Sequence, residues 1–504
     1  MKLKIPVVLL VVSLLVAIQL SATSSDGEIQ KYDTDYFSVP ATGDVYDVPS
    51  SYDMRDYGGV TSVKDQGEHG SCWTFSTMSA FEGLLIKLGI SDDTVDLSEL
   101  FLAMSVMTGR GMDRITESED EMRLLMERES FLDSGGYDWL SILSLMDWDS
   151  GPVPEDLVPY GDADTYEYDE SMNAQSVAHL SDFVAVSIKD TTQIKKMVMD
   201  GYQGMFGFHA GDPGFLEEDD RWSYTSYSVG SMNHMVDLVG WDDSFPASCF
   251  AITAPGDGAW LVKNSWGEEY GSTGYMWVSY HSTIADVMFL TGASEIGEYD
   301  SIYSYDHCFS VFSDIGFEDR GYMANVFTAD GPEYLDAVSF TTFNTGNADY
   351  SIQIYTDPSN PSDPTSGTPR LDAPLTGHIA SAGGYTVDFE SVVKLNTGDV
   401  FSVVVSFESE GSTVYMPLDT DEIVECRGVD EFYSDPVASA GQSFVSSDGE
   451  SWTDVSADGS SNVRVKAYTS DADGSIGYEA YILVAIVSVV LAGSMHVLFG
   501  RRSA

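Results

Sequence analysis

The stretch "VKDQGEHGSCWTFS", Val63–Ser76, leads directly into a predicted helix. From Ser71 to Leu88 the apolar side chains recur at three- and four-residue steps, which is typical of a packed helix, and Gly89 suits its C-terminal cap. Cys72 falls in the first turn of this helix, where the partial positive charge of the helix N-terminus favours a thiolate. The pattern offers Cys72 as a nucleophile, although a lone cysteine is more often a small buried core residue.

His69 lies three residues before Cys72 and raises two further alternatives, a base for the thiol or a metal ligand. A structural zinc ion needs four ligands, and no second pair of cysteine and histidine follows at a spacing that would complete such a site. We therefore predict neither a metal ion nor a cofactor.

The chain contains four cysteines: Cys72, Cys249, Cys308 and Cys426. If Cys72 is kept reduced for chemistry, at most one disulfide can form among the other three, and pairing of Cys308 with Cys426 is one option that the sequence leaves open.

The composition excludes several classes of protein. The chain of 504 residues has 81 acidic and 23 basic side chains, a formal net charge of −58, yet 43% of its residues are hydrophobic. A chain this apolar is expected to fold. Its length predicts two domains, and its charge predicts a very acidic surface. Such a surface repels nucleic acid, which excludes DNA or RNA as an expected partner.

Both ends of the sequence predict targeting to the cell surface. Lys2 and Lys4 precede a mostly apolar run, so residues 1–22 form a predicted signal peptide, with an uncleaved anchor as the alternative. Residues 480–500 contain no charged side chain and span ~30 Å as a helix, which is enough to cross a bilayer. Because Arg501 and Arg502 follow, we expect a single-pass transmembrane helix with tail 501–504 in the cytoplasm and the bulk of the chain outside. The alternatives are a core helix, and removal of this segment by a sorting enzyme with a lipid as the final anchor.

Between these ends the pattern changes twice. Residues 23–48 are polar, and residues 49–295 begin with predicted helices, among them 117–129, and continue with strands. Residues 296–470 consist of short alternating segments separated by Gly, Asp and Pro turns, which indicates an all-β sandwich. Residues 471–479 form a polar spacer before the predicted membrane helix.

Three motifs in the first domain carry the chemistry. "VKDQGEHGSCWTFS", "MNHMVDLVGW" (232–241) and "WLVKNSWG" (260–267) occur in this order, and together they resemble the papain family of cysteine proteases. The resemblance covers residues 49–282. It implies an α+β protease of two lobes, a helical left lobe and a β-barrel-like right lobe.

The resemblance also implies roles for individual residues. Cys72 matches the nucleophile, His234 the acid and base, and Asn264 the residue that orients the imidazole. Gln66 matches the side-chain amide that, with the backbone N–H of Cys72, stabilises the oxyanion. This division is physically reasonable, because a neutral Asn fixes the ring without removing its charge and the two N–H donors point at developing negative charge.

Three further residues match substrate-binding positions of the family. Trp266 resembles the indole that shields the contact between His234 and Asn264 from water, although a tryptophan there could equally belong to the core. Gly135 and Gly136 match the backbone that pairs with an extended peptide, although a double glycine is more often only a turn.

The sequence also departs from the family in informative ways. The usual disulfide is replaced by His69 and Asp133, for which we hypothesise a hydrogen-bonded pair, with an exposed His69 as the alternative. A long segment before Asn264 and the strands after residue 296 resemble the microbial branch that has a C-terminal lectin-like domain. Residues 23–48 are too few for the helical inhibitory segment that is typical of papains.

The sequence therefore predicts an extracellular, membrane-tethered cysteine endopeptidase that acts on peptide or protein substrates through a Cys72 thioester. One alternative is a surface binding or adhesion protein, in which the β domain binds a carbohydrate or another surface ligand and the protease fold is residual. Another is a cysteine amidase that acts on cell-wall peptides.

Overall fold

The computed structural model describes residues 48–106, 121–124, 132, 135–148, 151–162, 169–211, 214–218, 221–225, 232–306, 313–420, 422–426, 430–435 and 438–472. All of them belong to one compact unit. The predicted signal peptide, the predicted membrane helix 480–500, Asp133 and Cys308 lie outside these ranges. Within the described ranges, no helix combines the length and the apolarity needed to cross a bilayer.

The helices cluster early in the chain, as the sequence predicts. The described α-helices are α1 Cys72–Leu88, α2 Glu99–Met104, α3 Asp138–Met146 and α4 Thr191–Met199. Short 3₁₀ turns lie at Met54–Tyr57, Tyr160–Asp162, Glu170–Gln175 and Ala247–Cys249.

Along the chain, the strands of the first domain precede, separate and follow these helices, and those of the second domain come after them. In the first domain they are β1 Ser51–Asp53, β2 Glu121–Leu124, β3 Ala178–Val186, β4 Gly204–Phe208, β5 Phe215–Glu218, β6 Arg221–Tyr224, β7 His234–Asp242, β8 Ala259–Lys263, β9 Tyr275–Ser279 and β10 Val287–Glu295. In the second they are β11 Ser301–Tyr303, β12 Ser313–Thr328, β13 Glu333–Thr342, β14 Ala348–Thr356, β15 Thr368–Pro369, β16 Leu375–Ile379, β17 Gly383–Leu395, β18 Val400–Thr420, β19 Glu422–Cys426, β20 Asp430–Asp435, β21 Ser443–Ser446, β22 Thr453–Asp454, β23 Ser461–Val463 and β24 Val465–Asp471.

Helix α1 is the central element of the first domain. Every residue from Cys72 to Leu85 is buried, which is the pattern of a helix packed on all sides rather than of an amphipathic surface helix. The helix ends at Gly89, whose left-handed backbone (φ 75°) lets its N–H bond back to the carbonyls of Ile86 and Leu85.

The largest sheet runs without interruption through both domains. Its strand order is β11-β24-β13-β17-β3-β10-β4-β7-β8-β9-β6-β5, with β1 paired to β7. The two domains join where Gly383 and Gly384 of β17 pair with Val184 and Phe183 of β3. A Cβ on Gly383 would lie 2.2 Å from the Phe183 carbonyl oxygen, so this junction requires a glycine.

This junction corrects the prediction of a β-barrel-like right lobe. A closed barrel would need the free edge of β3. Because that edge is paired to β17 of the next domain, no barrel closes among the described strands. The right lobe is part of an open sheet.

The second domain has two sheets that share one hydrophobic core. The first sheet contributes β13, β17 and β24, and a second sheet has the order β15-β14-β18-β12-β21-β22, with β16 on β14 and β23 on β18. Side chains from both sheets, such as Phe340 of β13 and Val403 of β18, meet in this core.

The prediction of a helix over residues 117–129 is wrong where the structure describes that segment. Residues Glu121–Leu124 form strand β2, which pairs with β20 of the second domain. Pairing with the edge of the hairpin formed by β19 and β20 satisfies the backbone of this charged segment, which overrides its local helix propensity.

Side chains also tie the domains together. The indole of Trp139 in α3 meets the ring of Phe343 edge-on, with centroids 4.8 Å apart. Lys466 of β24 donates to Asp147 Oδ1 at 3.2 Å and to Asp306 Oδ1 at 2.9 Å, so one buried ammonium bridges both domains.

Candidate active site

The clearest feature of the site is the contact between His234 and Asn264. His234 is the first residue of β7, and Asn264 follows directly after the neighbouring strand β8. His234 Nε2 lies 2.7 Å from Asn264 Oδ1, and both residues are buried. Asn264 Oδ1 also accepts from the N–H of Ser265 at 2.8 Å, which marks this atom as the amide oxygen. Because a carbonyl oxygen only accepts, Nε2 donates, and Nδ1 is the nitrogen that can exchange a proton with a thiol.

Aromatic rings enclose this contact. The indole of Trp266 stacks on the imidazole of His234 with centroids 4.5 Å apart and planes 22° apart. Phe208, opposite His234 in the strand register, meets the imidazole edge-on at 5.6 Å. These rings keep water from the hydrogen bond and so strengthen it.

Cys72 occupies the first position of α1 and is 6% exposed. Its thiol is not in a disulfide. One turn further on, Ser76 donates to Asp237 Oδ1 at 2.8 Å, and Asp237 lies three residues after His234 on β7. The contact between Ser76 and Asp237 therefore lies ~6 Å along the helix from Cys72 and ~10 Å along the strand from His234. The packing brings the N-terminus of α1 to β7.

Gln66 is held by the loop that carries Asn264. Its backbone N–H donates to the Ser265 carbonyl at 2.8 Å, and its Oε1 accepts from the Ser265 hydroxyl at 2.6 Å. Its Nε2 donates to the His69 carbonyl at 2.6 Å. An amide nitrogen has two hydrogens, so this orientation leaves a second N–H that can donate a hydrogen bond to an oxyanion.

The double glycine packs on the nucleophile helix. Gly135 has a left-handed backbone with φ 74°. A Cβ on Gly136 would lie 2.5 Å from the indole of Trp73, so a side chain there would displace the residue next to Cys72. Glycine is needed here for packing, and its pairing with substrate stays a prediction.

His69 is not part of the hydrogen-bonded pair formed by His234 and Asn264. Its ring is half-buried and meets Tyr160 edge-on, with centroids 6.3 Å apart. Asp133 lies outside the described residues, so the hypothesis of a pair between His69 and Asp133 remains a prediction.

A buried ionic network beneath the site was missed by sequence reasoning. Lys64 Nζ lies 2.8 Å from both Glu82 Oε1 and Glu99 Oε1. Lys263, the residue before Asn264, donates to Thr61 and Ser79 at 3.0 Å. The only available signal was position, since Lys64 and Lys263 each lie within two residues of a motif residue.

Burial also shifts the pKa values of Asp237 and Lys263. Burial raises the pKa of Asp237 to about 7, although the nearby Lys263 ammonium and the Ser76 hydroxyl oppose the shift. Burial lowers the pKa of Lys263. The carboxyl group of Asp237, three residues after His234, therefore titrates near neutral pH.

Two protein families match the chain. Residues 48–105 and 133–290 match the papain family cysteine proteases, and residues 302–469 match the lectin-like domain. Vignain from Vigna mungo is 28% identical over 229 residues, which cover 45% of this chain and 54% of the relative. Cathepsin K from Mus musculus is 28% identical over 238 residues, which cover 45% and 59%. The chain spans somewhat more than half the length of these relatives.

Solved structures with the same fold come from a clostridium. The cysteine protease and lectin-like domains of Cwp84, a surface layer associated protein of Clostridium difficile, align with a TM-score of 0.69 and 24% identity over 85% of this chain and 90% of that one. Clostridial Cwp84 after propeptide cleavage aligns with the same TM-score and identity over 84% of this chain and 100% of that one. The predicted papain-like fold with a downstream β domain is confirmed.

Proposed function

From the papain-family cysteine protease domain that this chain carries, followed by a lectin-like domain, we propose that the protein is a cysteine endopeptidase. It hydrolyses peptide bonds through a thioester on Cys72, with His234 as acid and base. The observation that carries the proposal is the buried hydrogen bond of 2.7 Å between His234 Nε2 and Asn264 Oδ1. It fixes the imidazole so that Nδ1 is the nitrogen that can exchange a proton with Cys72.

The first half of the reaction forms the thioester. His234 takes the thiol proton of Cys72, and the thiolate attacks the peptide carbonyl carbon. The carbonyl oxygen becomes an oxyanion that accepts hydrogen bonds from the backbone N–H of Cys72 and from Gln66 Nε2. The C–N bond then breaks, and His234 gives its proton to the departing amine.

The second half releases the acyl group. Water attacks the thioester while His234 takes one of its protons, and the same two donors stabilise the second oxyanion. The C–S bond breaks, the acid product leaves and the Cys72 thiolate is restored. Trp266 keeps bulk water from the orienting hydrogen bond throughout.

The proposed location is the cell surface, with the catalytic domain outside. The predicted signal peptide 1–22 and membrane helix 480–500 support a single-pass tether. The solved relative with the same two domains is described as surface layer associated, which agrees with this location.

The proposed role of residues 296–470 is to present a sandwich surface to a carbohydrate or another surface ligand. The match to the lectin-like domain supports this role, although a fold by itself does not define a ligand.

Covalent labelling tests the proposal. A thiol-directed epoxide inhibitor should label the wild type and abolish turnover of quenched fluorescent casein, and Cys72→Ala should lose both label and activity. The matched control is Cys249→Ala, which removes a second cysteine that is not in a disulfide and should keep both.

Two results would contradict the proposal. Activity that survives Cys72→Ala would point to another nucleophile, with Cys308 the first to examine. Labelling without turnover of any protein substrate would favour the adhesion protein or the amidase.

A further inference from the structure

Tyr160 holds both ends of the loop that carries Gln66 to Cys72. Its hydroxyl donates to the backbone carbonyl of Gln66 at 3.1 Å. The same hydroxyl lies 2.6 Å from Ser71 Oγ. Since the Tyr160 proton goes to the carbonyl, Ser71 donates to Tyr160. One side chain from outside the loop therefore links the residue before the nucleophile to the residue that bears the oxyanion amide.

Ser71 shows why this contact matters for the helix. It is the N-cap residue of α1, is fully buried and makes no side-chain capping bond. A serine in this position usually accepts from a backbone N–H of the first turn. Here its hydroxyl contacts Tyr160 instead, so the side chain does not compete for the N–H groups at the helix N-terminus. Those groups favour both a thiolate and an oxyanion.

Tyr160 is itself rigidly placed. Its backbone N–H donates to Glu155 Oε1 at 2.6 Å, and the Glu155 N–H donates to the Asp96 carbonyl at 2.9 Å. Its ring meets Phe75 of α1 edge-on at 4.8 Å and His69 at 6.3 Å. The ring therefore packs against the loop at the position where the family usually has a disulfide.

We infer that Tyr160 is a positioning residue that sets the two oxyanion donors, the Gln66 amide and the Cys72 N–H, at their working separation. Ser265 holds the side chain and the backbone N–H of Gln66 from one lobe, and Tyr160 holds its backbone carbonyl from the other. The inference rests on the proposed function and adds a residue whose role is to preorganise the oxyanion site.

The test separates oxyanion chemistry from thiol chemistry. Peptide hydrolysis passes through an oxyanion, whereas alkylation of Cys72 by iodoacetamide needs only the thiolate and its partner. Removal of one oxyanion donor costs about 10²–10³-fold in kcat, so a misplaced pair should cost about tenfold. Tyr160→Phe should therefore lower kcat on a quenched fluorescent peptide about tenfold and leave the alkylation rate within about twofold.

One control variant and one second test variant complete the experiment. Tyr305→Phe removes a similar hydroxyl, which donates to the Val326 carbonyl at 2.8 Å in the β domain, and should change neither rate. Ser71→Ala removes the second partner of Tyr160 and should reproduce the loss in hydrolysis. It also provides the test if Tyr160→Phe does not fold. In the double variant the two losses should not add, because both break the same link.

Each outcome has a defined meaning. Hydrolysis at the wild-type rate in both Tyr160→Phe and Ser71→Ala overturns the inference, and so does an equal fall in hydrolysis and alkylation, which would show a general disturbance of Cys72. A wild type that is alkylated at Cys72 but hydrolyses no peptide overturns the proposed function, and with it this inference.

Discussion

Replacement of Lys466 by methionine should destabilise the junction between the two domains. Lys466 is 4% exposed and donates to Ser304 Oγ at 2.7 Å, Asp306 Oδ1 at 2.9 Å and Asp147 Oδ1 at 3.2 Å. Methionine fills nearly the same volume without the charge. The substitution leaves the Asp147 and Asp306 carboxylates buried without their shared ammonium.

The expected loss follows from the buried charges. Removing one partner of a buried ion pair costs about 3–5 kcal/mol, and this pair has two carboxylates that are 3% and 5% exposed. We expect the free energy of unfolding to fall by about that amount, measured by urea denaturation with circular dichroism and tryptophan fluorescence. Because Asp147 belongs to the protease domain and Lys466 to the β domain, both probes should shift together.

The controls separate charge from packing. Lys394→Met changes an exposed lysine on β17 and should alter stability by less than about 0.5 kcal/mol. Adding Asp147→Asn to Lys466→Met should recover part of the loss, because the remaining carboxylate, Asp306, still has Arg464 Nη1 at 3.5 Å. A loss below about 1 kcal/mol for Lys466→Met, or an equal loss for Lys394→Met, would refute the reasoning.

Two further predictions concern the packing of Gly136 on Trp73 and the pH dependence of stability. Gly136→Ala should lower stability by about 1–3 kcal/mol and reduce activity, because the new methyl group would lie 2.5 Å from Trp73; Gly331→Ala, with nothing within 4 Å, is the control for thermal unfolding and casein turnover. Burial lowers the pKa of His179, whose ring stacks on Trp148 at 4.2 Å, to about 4. Because the unfolded chain then takes up the proton first, stability should fall by up to about 3 kcal/mol as the pH drops from about 6.5 to about 4. His179→Phe should remove this part of the acid sensitivity in urea titrations at each pH, and an unchanged pH slope would contradict the assignment.

Much of the fold could be predicted because the decisive signals are local. The helical period after Ser71 and the glycine at its end define α1, and the alternating segments after residue 296 define a β domain. The order of three short motifs was enough to indicate a papain-like protease. The structure brings His234 into contact with Asn264 and Trp266 and holds Gln66 on Ser265, and the catalytic roles of these residues remain proposals.

The errors have one physical cause, which is pairing between residues far apart in the chain. Strand β3 pairs with β17 about 200 residues later, so the right lobe stays open. Strand β2 is drawn into a hairpin of the second domain despite its helix-forming composition. Likewise, nothing near Tyr160 in the sequence indicates that its hydroxyl reaches both Gln66 and Ser71.

The most direct test of the central claim is to trap the thioester. Wild-type protein mixed with a peptide ester substrate and quenched in acid should gain the mass of the acyl group, and digestion should place that mass on the peptide that contains Cys72. The adduct should disappear in Cys72→Ala. No adduct in an active preparation, or an adduct on another residue, would contradict the claim that Cys72 is the nucleophile.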